Sequence, residues 1–268
     1  MSAEKLGIGL TGAAGRMGQM LTRLIVSSDD MKLAAALEAS GHPELGNDVG
    51  QVAGLGEMGV RLMESLGEAD VDVLVDFSGP DATAEYAREC ARRKIPMVIG
   101  TTGLGDSELD AVMAASAAAA VVLAPNMSVG VNVLLELVGR AAEMLGQDYD
   151  VEIVETHHRF KKDAPSGTAL KLAERIAEVL GRDISRDLVH GRQGQVGART
   201  QREIGMHAVR AGDVVGEHVV TFATLGERVE LVHKAQSRET FARGALRAAR
   251  FVAGRKAGLY TMADVLGL

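Results

Sequence analysis

In the first half of the chain, short apolar runs alternate with stretches whose apolar residues recur every three or four positions. LGIGL at 6–10 reads as a buried strand. Arg16 to Ser28 then carries Met17, Met20, Leu21, Leu24 and Ile25 at helical spacing. KLAAALE at 32–38 predicts a second strand, VDVLVDF at 71–77 a third, and PMVIG at 96–100 and VVLAP at 121–125 two more. Helices are predicted from about Asp81 to Arg93 and near Ser107 to Ala119. Strands alternating with helices imply a parallel sheet with helices on its faces. Near-continuous apolar strands agree with burial on both sides.

Past about residue 128 the pattern changes. A long helix is predicted over Val131 to Leu145, with its apolar stripe used for packing. DYDVEIVETHH at 148–158 alternates like a strand, and Thr168 to Leu180 is helical. Residues 181–203 are polar and Gly-rich and read as a long loop. IGMHAVRAGD, GEHVVTFATLG and RVELVHKA predict three strands in an antiparallel meander. Phe241 to Val252 closes the pattern as a helix. The fold class is therefore α/β, an α/β half followed by an α+β half, read as two domains with a cleft between them.

Composition narrows the function classes. Hydrophobic residues make up 47% of the 268 and charged residues 24%, as in globular proteins. With aromatics at 3% and no Trp, the core must rest on Ala, Val, Leu, Ile and Met. A net charge of −7 and the scarcity of aromatics argue against a nucleic-acid partner. Cys90 is the single cysteine and lies on the core face of a predicted helix, so no internal disulfide forms. The N-terminus lacks a signal-peptide pattern. Ala114 to Ala124 is too short for a bilayer span, which takes about 20 residues. These points predict a cytoplasmic protein with no membrane partner.

Against that background two segments carry chemistry. GAAGRMG places Gly12, Gly15 and Gly18 between the first strand and the first helix. Glycine there permits a tight turn and lets backbone approach a pyrophosphate at a helix N-terminus. Glu38 ends the second strand, 20 residues after Gly18, where an acid bonds ribose hydroxyls. The spacing differs from G-x-G-x-x-G, so context carries the reading: a Rossmann-like, dinucleotide-binding N-terminal domain. Ala39 and Ser40 follow the acid, with no basic residue for a 2′-phosphate, so NADH is expected to be preferred. GTTG (Gly100 to Gly103) and APNMS (Ala124 to Ser128) follow later strands, where small residues could line the nicotinamide.

The second segment is ETHHRFKKDAPSGTAL at 155–170. Adjacent histidines on a strand point to opposite faces, and no His-x-x-x-His or Cys pair accompanies them, so no metal site is expected. One of His157 and His158 could serve as a general acid or base, with Lys161 and Lys162 adding charge. Ser166, Gly167 and Thr168 open the next helix, a natural carboxylate seat. On spacing alone, a solvated loop with an ordinary helix cap fits equally well. His42, His190, His207, His218 and His233 are scattered and are given core or surface roles.

With GAAGRMG, DFS, GTTG, NMSVGVN and HHRFKKDAPSGTAL in this order, the chain resembles the 4-hydroxy-tetrahydrodipicolinate reductases, also called dihydrodipicolinate reductases, over essentially its whole length. The resemblance implies reduction of 4-hydroxy-tetrahydrodipicolinate in the diaminopimelate route to lysine. It implies a dinucleotide-binding domain of 1–128 plus 240–268, and a substrate-binding and tetramerisation domain of 129–239 forming a homotetramer. By motif, His157 is the acid/base residue and Lys161 the proton donor. His158, Gly167 and Thr168 contact the small dicarboxylate substrate, with Ser166 close by. The cofactor touches Gly12, Ala13, Ala14, Gly15, Arg16, Met17, Glu38, Gly100, Thr101, Thr102, Ala124, Pro125, Asn126 and Met127. Many members carry Arg where Ala39 stands, so NADH is the expected cofactor, with NADPH also usable; many carry Phe where Met127 stands, which changes the packing near the nicotinamide and not the chemistry. The rival readings are another NAD(P)-dependent oxidoreductase acting on a small carboxylic acid and a non-catalytic NAD-sensing regulator.

Overall fold

The structure is a computed structural model that describes residues 4–268. The chain divides into two units, Met1–Val129 with Glu239–Leu268, and Gly130–Arg238. It begins with β1 (Leu6–Thr11), α1 (Arg16–Val26), β2 (Met31–Leu37), α2 (Val49–Val52), β3 (Leu62–Met63) and β4 (Val73–Asp76). Next come α3 (Pro80–Arg93), β5 (Met97–Ile99), α4 (Asp106–Ser116) and β6 (Ala120–Leu123). The middle stretch holds α5 (Val129–Leu145), β7 (Asp150–His157), α6 (Gly167–Leu180), α7 (Ile184–Asp187), β8 (Leu188–His190), β9 (Ile204–Arg210), β10 (Gly216–Thr224) and β11 (Glu227–Ala235). Finally α8 (Glu239–Val252), β12 (Gly258–Tyr260) and α9 (Met262–Leu266) return to the first unit.

The first unit is a seven-stranded sheet in the order β12-β6-β5-β4-β1-β2-β3, with every pairing parallel. This is the strand order of a doubly wound Rossmann sheet extended by one strand, with its switch point between β1 and β4. Successive residues of β4 feed opposite faces. Val73 and Val75 pack with Ile8, Leu10, Leu21 and Ala249 on one side. Leu74 packs with Met97, Ile99, Ala87 and Cys90 on the other. A sheet buried on both faces explains why its strands read as continuous apolar runs. Cys90 is fully buried, and burial pushes its thiol up to about 12.

The second unit is a five-stranded sheet in the order β11-β10-β7-β9-β8. β7 alternates half-buried and buried residues along its whole length. Val151 and Ile153 join Val220 and Phe222 of β10 against Leu172, Ala173 and Ile176 of α6 and Val138 of α5. Ser166 caps α6 by accepting from Ala169 N, and Gly181 ends it at φ 59° in the left-handed region.

Two sequence expectations for this unit are corrected. β9, β10 and β11 are not a meander. β10 and β11 form an antiparallel hairpin, but β9 pairs in parallel with β7 and with β8. The chain leaves β9, passes the end of β7 and enters β10 on its other side. Ala211 N donates to His157 O, and Arg159 N donates to Gly212 O at this crossing. Gly-containing turn residues report that a chain reverses, not which strand it joins next. The segment 181–203 also contains α7 and β8, which are too short to give a periodic signal. β3, β12 and α9 escaped the sequence reading for the same reason. Among the described residues, no helix is long and apolar enough to cross a membrane.

Phe222 is the largest fully buried side chain among the described residues. Phe222→Ala is expected to cost about 3–5 kcal/mol of unfolding free energy. A urea titration of the full chain measures it, as a lower midpoint with an unchanged slope.

Candidate functional site

In the first unit a cavity of ≈ 460 Å³ opens at the carboxyl ends of β1, β2 and β4, lined in part by Gly12, Ala14, Gly15, Glu38, Phe77 and Ser78. Gly12 sits at φ 65°, and a Cβ there would lie 2.4 Å from Phe77 O. A Cβ at Gly18 would lie 2.3 Å from Gly12 O. Both positions therefore demand glycine, one for conformation and both for closeness. Gly15 caps α1 without a side-chain hydrogen bond, which leaves the helix start open to a ligand. Arg16 and Met17 begin that helix, with Arg16 exposed. Glu38 Oε2 accepts from Ala14 N at 3.0 Å, and Oε1 accepts from Ala39 N at 3.1 Å.

Asp76, fully buried at the end of β4, holds the neighbouring loops together. It accepts from Thr11 Oγ1, from Ser78 Oγ at 2.5 Å, from Thr83 Oγ1 at 2.5 Å and from Thr101 Oγ1 at 2.8 Å. These donors satisfy the buried carboxyl group, which forms no ion pair among the described residues. The sequence-predicted residues thus fall into two sets. Gly12, Ala14, Gly15 and Glu38 meet around the cavity, with Ala13 buried between them. Gly100, Thr101 and Thr102 follow β5, and Ala124, Pro125, Asn126 and Met127 follow β6, and neither stretch lines that cavity. Thr101 turns inward to Asp76, Thr102 is exposed, and Met127 is buried against Gly244 of α8.

In the second unit one sheet face changes character along its length. The apolar rows of β7 and β10 give way to Glu155, His157 and His218 on the same face. Glu155 is fully buried. It accepts from His157 Nδ1 at 2.5 Å, from Arg210 Nη1 at 2.9 Å, from Arg210 Nη2 at 2.8 Å and from Ser166 N at 3.1 Å. Ser166 Oγ meets His218 Nε2 at 3.2 Å, and the His157 and His218 rings lie edge to face at 5.3 Å. Gly167 and Thr168 form the first turn of α6. Lys161 Nζ pairs with Asp163 at 2.9 Å. His158 lies just past the end of β7, half-buried, and its buried Nδ1 has no hydrogen-bond partner.

Burial lowers the pKa of His157, and the Glu155 carboxylate opposes that shift. Burial also pushes Glu155 upward, but its bonds from Arg210 and His157 outweigh this and hold it below the usual range. The Lys161 ammonium holds Asp163 low. Burial, with His157 and His233 nearby, takes His218 down to about 4. The cluster thus combines a neutral imidazole, an ion-paired carboxylate and a helix start, a seat able to take an anion and exchange a proton with it.

Sequence reasoning missed Glu155, Arg210, His218 and Asp76. Two signals were available. Glu155 stands two residues before His157 and so shares its strand face, and His218 breaks the apolar alternation of β10. Arg210 gave none, because its placement depends on the crossing past β7.

His218 also sets an acid limit on stability. Its folded pKa of about 4 lies below the ordinary value of 6.5, so the unfolded chain binds this proton more tightly. The contribution is complete above about pH 6.5 and is lost as pH falls toward about 4, amounting to about 3 kcal/mol at most. Calorimetry across that window is expected to give a shallower fall in melting temperature for His218→Asn than for the wild type.

Comparison with known proteins covers both units. The N-terminal family model of dihydrodipicolinate reductase matches residues 6–127, and its C-terminal model matches 130–266. A 4-hydroxy-tetrahydrodipicolinate reductase of Hahella chejuensis (strain KCTC 2396) is 49% identical over 97% of this chain and 98% of its own. One from Anaeromyxobacter sp. (strain Fw109-5) is 52% identical over 97% of each chain. The dipicolinate-bound dihydrodipicolinate reductase from Paenisporosarcina sp. TG-14 superposes with a TM-score of 0.77 at 25% identity, over 97% of this chain and 98% of that one. With both halves matched by one family's models and near-full-length relatives at about half identity, the chain belongs to the dihydrodipicolinate reductase family.

Proposed function

We propose that the protein reduces 4-hydroxy-tetrahydrodipicolinate to tetrahydrodipicolinate with loss of water, using a reduced nicotinamide dinucleotide, in the diaminopimelate route to lysine. The observation that carries this reading is the 49% identity, across 97% of the chain, to a protein of that name. The glycine turn fits a dinucleotide. Gly12 and Gly18 tolerate no side chain, and the start of α1 has no side-chain cap. Gly12 to Met17 would hold the pyrophosphate and Glu38 the ribose hydroxyls. Gly100 to Thr102 and Ala124 to Met127 would flank the nicotinamide. When bound, that ring supplies the hydride.

The chain's own residues would do the rest. The substrate carries two carboxylates, and the start of α6 at Gly167 and Thr168, with Ser166, His158 and Lys161, would seat them. After the 4-hydroxyl leaves as water and hydride arrives, the substrate ring is electron-rich and needs a proton. His157 and Lys161 would supply it, with Lys161 oriented by its ion pair to Asp163. A non-catalytic regulator has no use for this proton-carrying segment beside an anion seat.

Three finer points belong to the same proposal. NADH is preferred over NADPH, because Ala39 follows Glu38 and no Lys or Arg lines the cavity. The second unit assembles a homotetramer through its sheet, a reading supported by Val209, Val229 and Val232, which are exposed on β9 and β11. The protein works in the cytoplasm, where its relatives' biosynthetic chemistry belongs.

The test is an assay coupled to the synthase that makes the unstable substrate, with nicotinamide oxidation followed by absorbance. Turnover with NADH is expected, at higher kcat/KM than with NADPH, and a clear NADPH preference would overturn the cofactor assignment. His157→Ala and Lys161→Ala should each lower kcat by roughly a hundredfold while dinucleotide binding is retained. Near-normal turnover in both variants would remove them from the mechanism.

A further inference from the structure

We infer that Glu155, paired with Arg210, is a positioning residue that fixes the tautomer of His157 and frames the whole proton-carrying loop from beneath. The inference rests on the proposed reading of this site, but its main readout does not require that reading to be right.

Geometry carries it. Position 155 continues the buried row of Val151 and Ile153, where an apolar residue would extend the core. A fully buried carboxylate there is costly, and replacing buried ion pairs by apolar groups is often neutral or stabilising. Stability alone gives no reason for it. Its four hydrogen bonds use both oxygens twice, one from His157, two from Arg210 and one from Ser166 N. An ionised carboxylate only accepts, so the proton on the bonded nitrogen of His157 must sit on Nδ1. The lone pair of the neutral ring is then on Nε2.

Nε2 has room because the facing residue is Gly216, where a Cβ would approach it to 3.0 Å. Arg210 reaches further, since its Nη2 also donates to Asp163 O at 2.7 Å, beside the carboxylate that pairs with Lys161. The Glu155–Arg210 pair therefore touches the acid/base imidazole, the cap of α6 and the backbone behind Lys161. These three parts of the 157–168 loop cannot shift independently while the pair holds.

The groups facing His157 are few and come from every neighbouring element. Glu155 is on its own strand, Arg210 on β9, Lys161 on the loop, His218 on β10 with His233 beyond it on β11, and Ser166 at the start of α6. Of these, Glu155 alone is an anion beside the ring. Removing its charge leaves Lys161 and Arg210 to oppose the imidazolium, so His157 should hold its proton less well.

Glu155→Gln tests this with little change of shape. The glutamine amide donates to Nδ1 and moves the ring proton to Nε2. In the 15N histidine NMR spectrum of the whole protein, wild-type neutral His157 is expected as the Nδ1–H tautomer and the variant as Nε2–H. Its titration midpoint should fall by about one pH unit. With turnover established for the wild type, kcat of the variant should drop roughly tenfold or more, the acid limb of its pH profile should move down, and KM for the dinucleotide should stay. An Nε2–H tautomer in the wild type, or an unchanged pH profile and kcat in a folded variant, overturns the inference. The wild-type tautomer alone decides the matter should Glu155→Gln fail to fold. Absence of turnover in the wild type refutes the proposed activity and leaves the tautomer result standing.

Discussion

The polar half of the second sheet depends on one crossing, the short connection at 211–215 that carries the chain past the end of β7. Because β9 and β10 flank β7 instead of each other, β7 is the central strand. Its last residues receive neighbours from both sides. Arg210 arrives on one side of His157 and Gly216 on the other, a guanidinium and an empty space. The crossing places Glu155 where water cannot reach it, and a buried carboxylate must then be satisfied by the protein. Arg210, His157 and Ser166 N do so, and in doing so they become one assembly.

The first unit solves a related problem differently. Asp76 is equally buried, at the end of the strand beside the switch point, yet its partners are hydroxyls from Thr11, Ser78, Thr83 and Thr101. Hydroxyl donors satisfy its oxygens. They also tie the ends of β1, β4 and the β5 loop to one point next to the cavity. In both units a buried carboxylate ties neighbouring loops together. One carboxylate is paired with the Arg210 guanidinium and bonded to an imidazole, and the other is bonded to hydroxyls. A group able to exchange protons is therefore tied to the buried carboxylate of the second unit, whereas hydroxyls surround that of the first.

Legibility followed the range of the interaction. The parallel sheet was readable because its main strands are apolar on both faces and most are separated from the next by a helix with its own period. The glycine turn was readable because Gly12 and Gly18 are required by contacts within a few residues or one strand away. The capped start of α6 was readable because Ser166 bonds a backbone group three residues on. Glu155 was only half legible: its spacing from His157 put the two on one face, but an acidic residue in an alternating strand usually points to water. Arg210 and His218 lie 55 and 52 residues along the chain from the groups they hold. Nothing local distinguishes them from an ordinary surface arginine and core histidine.

The sequence by itself determined the longer elements, the Rossmann-like character of the first half, and the short segment that gathers histidines, lysines and a helix cap. Those properties are set by periodicity, turn chemistry and helix ends, which act within a few residues. Only the tertiary structure decided the strand order of the second sheet, and with it what stands on either side of His157. Strand order is fixed by how buried surfaces pack and how buried charges find partners across the sheet. Those energies belong to pairs of residues distant in the chain and leave no periodic mark on either one.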